Sequence, residues 1–312
     1  MSERKIISDS IIAFNQQCDV VFPNVEADRA KQLLQKIKNE VSRIELSISR
    51  SLDVSEILQL NNSAKNEWLT VSDELWEILS VSFDFYTMSN GALDVTCAPL
   101  FDAWKEADAL SEEKILEAKL ISGFDKVEID SENKRFRFLT DGMQFDFGAL
   151  QKAYVLDILG SLLKEENISD AIVSFEEESV LALGVHPNGK AWPMGIRNLE
   201  QPNEFVHVFS FSDQVVVTTG TEYIDMETGM VKSRNIISPE TGEKLQQKMT
   251  VSVRANSALM AAFVSYIWLI LPENDKSIIA DQLKDVEIFE CEYLDDDIRT
   301  KLTIIGEEGN DD

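Results

Sequence analysis

The chain of 312 residues predicts an α+β or α/β fold of two interleaved lobes. Strand-like and helix-like stretches alternate along its whole length. No internal repeat, low-complexity linker or composition shift divides it. With 44% hydrophobic residues, a chain of this length can bury a sizeable core in one large domain or two lobes.

The elements follow in order. Alternation near Asp19–Phe22 predicts a first strand. From Ala27 to Ile48, Leu33, Leu34, Ile37, Val41, Ile44 and Ile48 form one apolar stripe opposite Lys and Glu, which predicts a long amphipathic helix. Ser55 to Asn62 is a short helical turn. Ser72 caps a second helix running to about Met88, and Ser89-Asn90-Gly91 stops it. Residues 105–118 are polar and helical at the surface.

Asp141-Gly142 is a turn signal with apolar alternation on both sides, Phe136 and Phe138 before it, Met143, Phe145 and Phe147 after it, so a hairpin is expected. Leu150, Tyr154, Val155, Ile158, Leu159 and Leu162 then keep helical spacing. Asp146 and Lys152 thus flank a helix N-terminus, where free N–H groups favour a phosphate; a capping Asp and a solvated Lys satisfy the same pattern. Ala171–Ser174 and Val180–Leu183 are strands around Glu176-Glu177-Glu178. Phe205–Phe211 and Val215–Thr218 are expected to pair through Ser212-Asp213. Met249–Arg254 is a strand, and Ser257 begins a helix apolar nearly all round. Asp295-Asp296-Asp297 and Gly306–Asp312 are acidic and expected to fray.

Charge narrows the function. With 29 basic against 56 acidic residues, net −27, the chain is a poor partner for nucleic acid or an anionic membrane. No apolar run near Met1 resembles a signal peptide, and the run at Ala261–Leu271 is too short to cross a bilayer, so membrane insertion is not expected. Cys18, Cys97 and Cys291 are widely separated, without metal or disulfide spacing. The expected compartment is the cytoplasm. His186 and His207 are isolated, which disfavours a His-centred site.

Four segments in order carry a family resemblance. Gly91-Ala92-Leu93-Asp94-Val95-Thr96, with Pro99-Leu100 and Trp104, resembles the "GAFDPT…PL…W" segment of ApbE-type FAD:protein FMN transferases. Asp146-Phe147-Gly148-Ala149-Leu150-Gln151-Lys152-Ala153-Tyr154-Val155-Leu156-Asp157 resembles that family's "DLGGIAKGYAVD". Asn235 to Gly242 is similar to "HIIDPRTG", and Val251-Ser252-Val253 with the following helix to "VTV…ADALATAL".

The resemblance implies an α+β fold of two interleaved lobes, with mixed, largely antiparallel sheet and packed helices. It implies one such domain over residues 13–300, with an N-terminal segment 1–12 and an acidic tail 301–312. It implies cleavage of FAD at the pyrophosphate and transfer of FMN to a Thr or Ser hydroxyl of a target flavoprotein, with a magnesium ion offsetting charge. By position, Ala92, Leu93 and Asp94 line the flavin site. Asp146 accepts from FAD, Lys152 contacts it and Ile236 touches the flavin. The Ala149 carbonyl is one metal ligand.

Departures fall where the chemistry should be. The metal-ligand Asp and Thr of the family align with Ala262 and Tyr266, which makes magnesium a poor match, and Ser265 is the nearest substitute oxygen. The family His aligns with Asn235, which is no general base, and the Asp of "IIDP" is Ser238. A Gly-Gly turn aligns with Glu176-Glu177. Carboxylates there either point to water from an exposed loop or bring negative charge near a pyrophosphate, where one like-charge contact costs on the order of several kcal/mol at an effective dielectric of about 20. The expectation is a family member with impaired or absent transfer; the alternative is a non-catalytic flavin-binding or protein-binding adaptor on the same scaffold.

Overall fold

The structure is a computed structural model that describes residues 6–63, 65–106, 109–176, 178–225, 228–295 and 297–306. In chain order the elements begin with β1 (Ile7–Ala13), β2 (Gln16–Phe22), α1 (Ala27–Ile48), α2 (Glu56–Asn61), β3 (Leu69–Thr70), α3 (Asp73–Met88), α4 (Ala98–Lys105) and α5 (Glu112–Leu120). They continue with β4 (Val127–Asp130), β5 (Arg135–Phe138), α6 (Gln151–Glu165), β6 (Ala171–Phe175), β7 (Ser179–Leu183), β8 (Trp192–Arg197), β9 (Phe205–Phe211) and β10 (Gln214–Gly220). The last are β11 (Glu222–Ile224), β12 (Val231–Ser233), β13 (Met249–Ala255), α7 (Ala258–Ile270), α8 (Glu273–Ala280), β14 (Val286–Leu294) and β15 (Asp297–Ile305). This is an α+β architecture with largely antiparallel sheet. Two compact units share the chain: Met1–Ser42, Lys152–Arg234 and Gln246–Asp312 form the first, and Arg43–Gln151 with Asn235–Leu245 form the second.

The first unit is built on an eight-stranded sheet in the order β1-β2-β6-β7-β10-β13-β14-β15. Every neighbouring pair is antiparallel. One face of its centre carries α7, against β10 and β13. Almost every residue of α7 is buried, as its all-round apolar sequence requires. The hairpin β8–β9 packs Trp192, Met194, Ile196, Phe209 and Phe211 onto Val180, Ala182, Val216, Phe289 and Cys291 of the sheet.

The second unit holds the three-stranded sheet β3-β5-β4. Phe136, Phe138 and Phe145 lie within 5.2 Å of one another by ring centroid, and Phe147 stacks on Phe145 at 6.0 Å. A second core gathers Cys97, Leu100, Trp104, Ala118 and Ile237. Trp104 Nε1 donates to the Gly242 carbonyl at 2.8 Å, which ties α4 to the 235–245 segment.

Caps explain the helix starts. Ser55, Ser72 and Ser257 each accept from the N–H three residues on, opening α2, α3 and α7. Two expected pairings are corrected. No hairpin forms at Asp141-Gly142: Gln144 bridges Cys97, and the Asp146 N–H donates to the Val95 carbonyl at 2.7 Å, so the chain after the turn pairs with the 95–97 segment instead. β9 and β10 do not pair with each other: β9 pairs with β8, while β10 pairs with β7 and β13. The sheet also takes in Ile7 and residues up to Ile305, beyond 13–300. Glu177, Asp296 and residues 307–312 lie outside the described residues.

Candidate functional site

In the second unit the two central motifs lie side by side. Ala92 and Leu93 are buried in the turn that follows α3, with Gly91 at φ +84°. Asp94 is buried and accepts from the Thr96 N–H at 2.8 Å and the Thr96 hydroxyl at 2.7 Å. Burial pushes its carboxyl above the usual value, and the two Thr96 bonds offset part of that. The Asp146 N–H bond to the Val95 carbonyl joins this turn to the next motif.

Asp146 has both oxygens engaged. Oδ1 accepts from the Gly148 N–H at 2.7 Å, and Oδ2 accepts from Arg50 Nη1 at 2.8 Å. Arg50 also donates to Asp102 Oδ2 at 2.6 Å and to Gln144 Oε1 at 2.7 Å. Burial alone would raise the Asp102 carboxyl, yet the guanidinium holds it below its usual value. Behind the motif, Asn61 clamps Phe145 from both sides: its amide donates to the Phe145 carbonyl at 2.9 Å and accepts from the Phe145 N–H at 2.8 Å. Ala149 and Asn235 are exposed, while Ile236 is buried and its carbonyl accepts from the Leu245 N–H at 2.8 Å.

In the first unit, Lys152 lies in the first turn of α6 and is not free. Its Nζ is 3.0 Å from Glu178 Oε2, and Arg234 Nη2 is 2.7 Å from Glu178 Oε1. Burial would raise the Glu178 carboxyl, but Lys152 and Arg234 outweigh it and hold the group below its usual value. Glu178 and Arg234 line a cavity of about 80 Å³ together with Thr218, Thr250, Tyr223 and Arg197. Glu176 turns the chain at φ +47° and accepts from Gln16 Nε2 at 3.0 Å.

The aligned metal positions do not fit magnesium. Ala262 presents a methyl group, and Tyr266 a bulky, buried side chain. Ser265 is fully buried; its hydroxyl bonds Thr219 Oγ1 at 2.8 Å and donates to the Ala262 carbonyl at 3.1 Å. A tight octahedron of hard oxygens cannot be assembled from a methyl, a phenol and an engaged hydroxyl. Among the described residues no three of His, Cys, Asp and Glu gather as a metal would require.

Asp157, the last residue of the Lys152 motif, caps α7. It accepts from the Ala258 N–H at 2.7 Å, the Leu259 N–H at 3.0 Å and the Ser257 hydroxyl at 2.9 Å. Sequence reasoning missed Arg50 and Arg234 and gave Glu178 no partner. The pairs span 96, 56 and 26 residues, and no local pattern encodes such distances.

This architecture is that of the flavin transferases. The structure titled flavin transferase ApbE from Vibrio cholerae matches with TM-score 0.83 at 17% identity, over 96% of this chain and 97% of that one. The apo flavinyl transferase ApbE of Pseudomonas stutzeri matches with TM-score 0.81 at 18% identity, over 97% of each chain. The ApbE family profile matches residues 14–289, and the chain belongs to the ApbE family. The FAD:protein FMN transferase of Escherichia coli K12 is 22% identical over 268 residues, 82% of this chain and 76% of that protein. The protein of the same name from Chlamydia muridarum is 25% identical over 70% of this chain and 67% of its own length.

Proposed function

We propose that this chain keeps the flavin-transferase scaffold while FMN transfer from FAD to a Thr or Ser hydroxyl is impaired or absent. In that reaction the acceptor oxygen bonds the phosphorus of the FMN half, the bridging P–O bond breaks, AMP leaves and the hydroxyl proton passes to a base. The observation that carries the proposal is the Glu178 carboxylate held by both Lys152 and Arg234. An anionic substrate at Lys152 must displace a part-buried carboxylate that is already paired.

Three further features support the reading. Arg50 occupies one oxygen of Asp146, so a flavin donor there competes with a guanidinium. Asn235, at the family His position, has an amide that takes no proton at neutral pH. No step is assigned to magnesium, because the donor set does not suit it. Ala92, Leu93, Asp94, Asp146 and Ile236 of the second unit, and by itself Lys152 of the first, are proposed as remnant flavin-facing residues, with the Ala149 carbonyl a retained metal-type oxygen.

A non-catalytic flavin-binding or protein-binding adaptor is the second reading, favoured by retained Asp94 and Asp146 beside a net charge of −27. Its partner would be a flavoprotein or another protein. The proposed setting is cytoplasmic, in keeping with free thiols at Cys18, Cys97 and Cys291. Among the described residues no helix is long and apolar enough to cross a membrane. AMP release from FAD, with magnesium and a flavoprotein acceptor, tests the loss of transfer. Flavin absorbance of the purified protein separates a flavin holder from a flavin-free adaptor.

A further inference from the structure

We infer that Glu178 is a built-in anion filling a phosphoryl-binding position formed by Lys152 and Arg234. Removing its carboxylate opens that position to a phosphate-bearing anion. The inference rests on the proposed loss of transfer and names the residue that excludes the substrate's pyrophosphate.

The geometry is that of an occupied anion site. Each Glu178 oxygen takes one cation, Lys152 Nζ at 3.0 Å and Arg234 Nη2 at 2.7 Å. All three side chains are largely withdrawn from water, at 15%, 19% and 28% exposure for Glu178, Lys152 and Arg234. An ammonium and a guanidinium converging on two oxygens are the donors that phosphoryl groups use. Arg234 is also fixed from behind, its guanidinium carbon 4.7 Å from the Tyr223 ring centroid.

The carboxylate is held by its backbone independently of its charge. The Glu178 N–H donates to the Phe175 carbonyl at 2.8 Å, and the Thr218 N–H donates to the Glu178 carbonyl at 2.7 Å. Changing the side chain therefore leaves the turn between β6 and β7 anchored. The adjoining cavity presents the Thr250 side chain, only 6% exposed, whose hydroxyl has no hydrogen-bond partner among the described residues. The Thr250 hydroxyl, Glu178 and Arg234 line one pocket, and Lys152 reaches Glu178 at 3.0 Å. Three carboxylates line that cavity, Glu176, Glu178 and Glu222, and Glu178 is the one that sits between Lys152 and Arg234, where it repels an incoming anion.

The test is calorimetric titration of inorganic pyrophosphate into the full chain, with chelator present to remove divalent metal. Wild type is expected to give no binding heat up to millimolar pyrophosphate. E178Q is expected to bind about tenfold tighter or more, with affinity falling as salt rises. E178Q/K152M is expected to lose that gain. E178A is run beside E178Q so that the test survives if one of them fails to fold. Folded variants that bind pyrophosphate no better than wild type overturn the inference, as does a wild type that already binds as tightly. AMP release by wild type tests the loss of transfer separately. A silent wild type together with variants that ignore pyrophosphate rejects the inference alone.

Discussion

Glu178 Oε2 and Lys152 Nζ lie 3.0 Å apart, joining the turn between β6 and β7 to the first turn of α6 across 26 residues of sequence. The lysine expected to meet FAD instead meets an internal carboxylate. That pairing has a pH signature. Burial would raise the Glu178 carboxyl, but Lys152 and Arg234 hold it below its ordinary 4.5. A depressed carboxylate contributes stability above its unfolded pKa and loses it as pH falls through the folded value. E178Q should therefore cost about 1–3 kcal/mol at neutral pH, less than a fully buried pair because all three groups keep some solvent. The gap to wild type should close only below the ordinary value of 4.5. Thermal melts across the acid range check this; a gap independent of pH would contradict it.

Asp157 gives a prediction about folding rather than ligand. It satisfies two N–H groups of the first turn of α7 and the Ser257 hydroxyl. D157A should destabilise the chain by about 1–3 kcal/mol, and D157N by less, since an amide oxygen still accepts. Urea denaturation checks both. Equal losses would mean that the charge, and not the acceptor, matters.

Asn61 is 5% exposed and makes a two-way clamp on the Phe145 backbone. N61A should leave a buried N–H and C=O without partners and cost about 2–4 kcal/mol. N61D should cost as much, since the carboxylate keeps the acceptor, loses the donor and adds a buried charge. A change under about 0.5 kcal/mol, the usual range for surface substitutions, would remove the clamp from the account.

Magnesium should not stabilise the wild type. An ion bound at ~0.1 mM affinity would add about 2.7 kcal/mol at ~10 mM, a readily measured rise in Tm. The expected result is the same Tm with magnesium and with chelator. A262D should lower stability by about 3–5 kcal/mol, because it places an unpaired carboxylate in a helix position only 3% exposed. Full rescue of A262D by magnesium would show that a metal site survives.

Much of the fold is legible along the chain. The apolar stripe from Leu33 to Ile48 and the Ser55 and Ser72 caps specify α1, α2 and α3, because period and capping are local physics. The turn Phe14-Asn15 is less so: both residues take positive φ, 52° and 61°, and Phe is an unusual choice there, which hid the β1–β2 hairpin. β9 and β10 follow one another closely, yet they belong to different sheets, and only packing decides that. Alternation in Val286–Leu294 marks β14, but acidic Asp295-Asp296-Asp297 drew that region toward a frayed end. At the candidate site, residue types at Asp94, Asp146 and Lys152 were readable from their motifs. Their partners Arg50, Glu178 and Arg234 were not, since ion pairs across 26 to 96 residues leave no periodic trace.

The central claim is best tested by calorimetric titration of FAD into the purified chain, with and without magnesium, followed by an assay for AMP. The expected result is no magnesium-dependent binding tighter than about millimolar, roughly 4 kcal/mol, and no AMP. Magnesium-dependent FAD binding that releases AMP would contradict it, and would mean that Lys152 can leave Glu178 for the substrate.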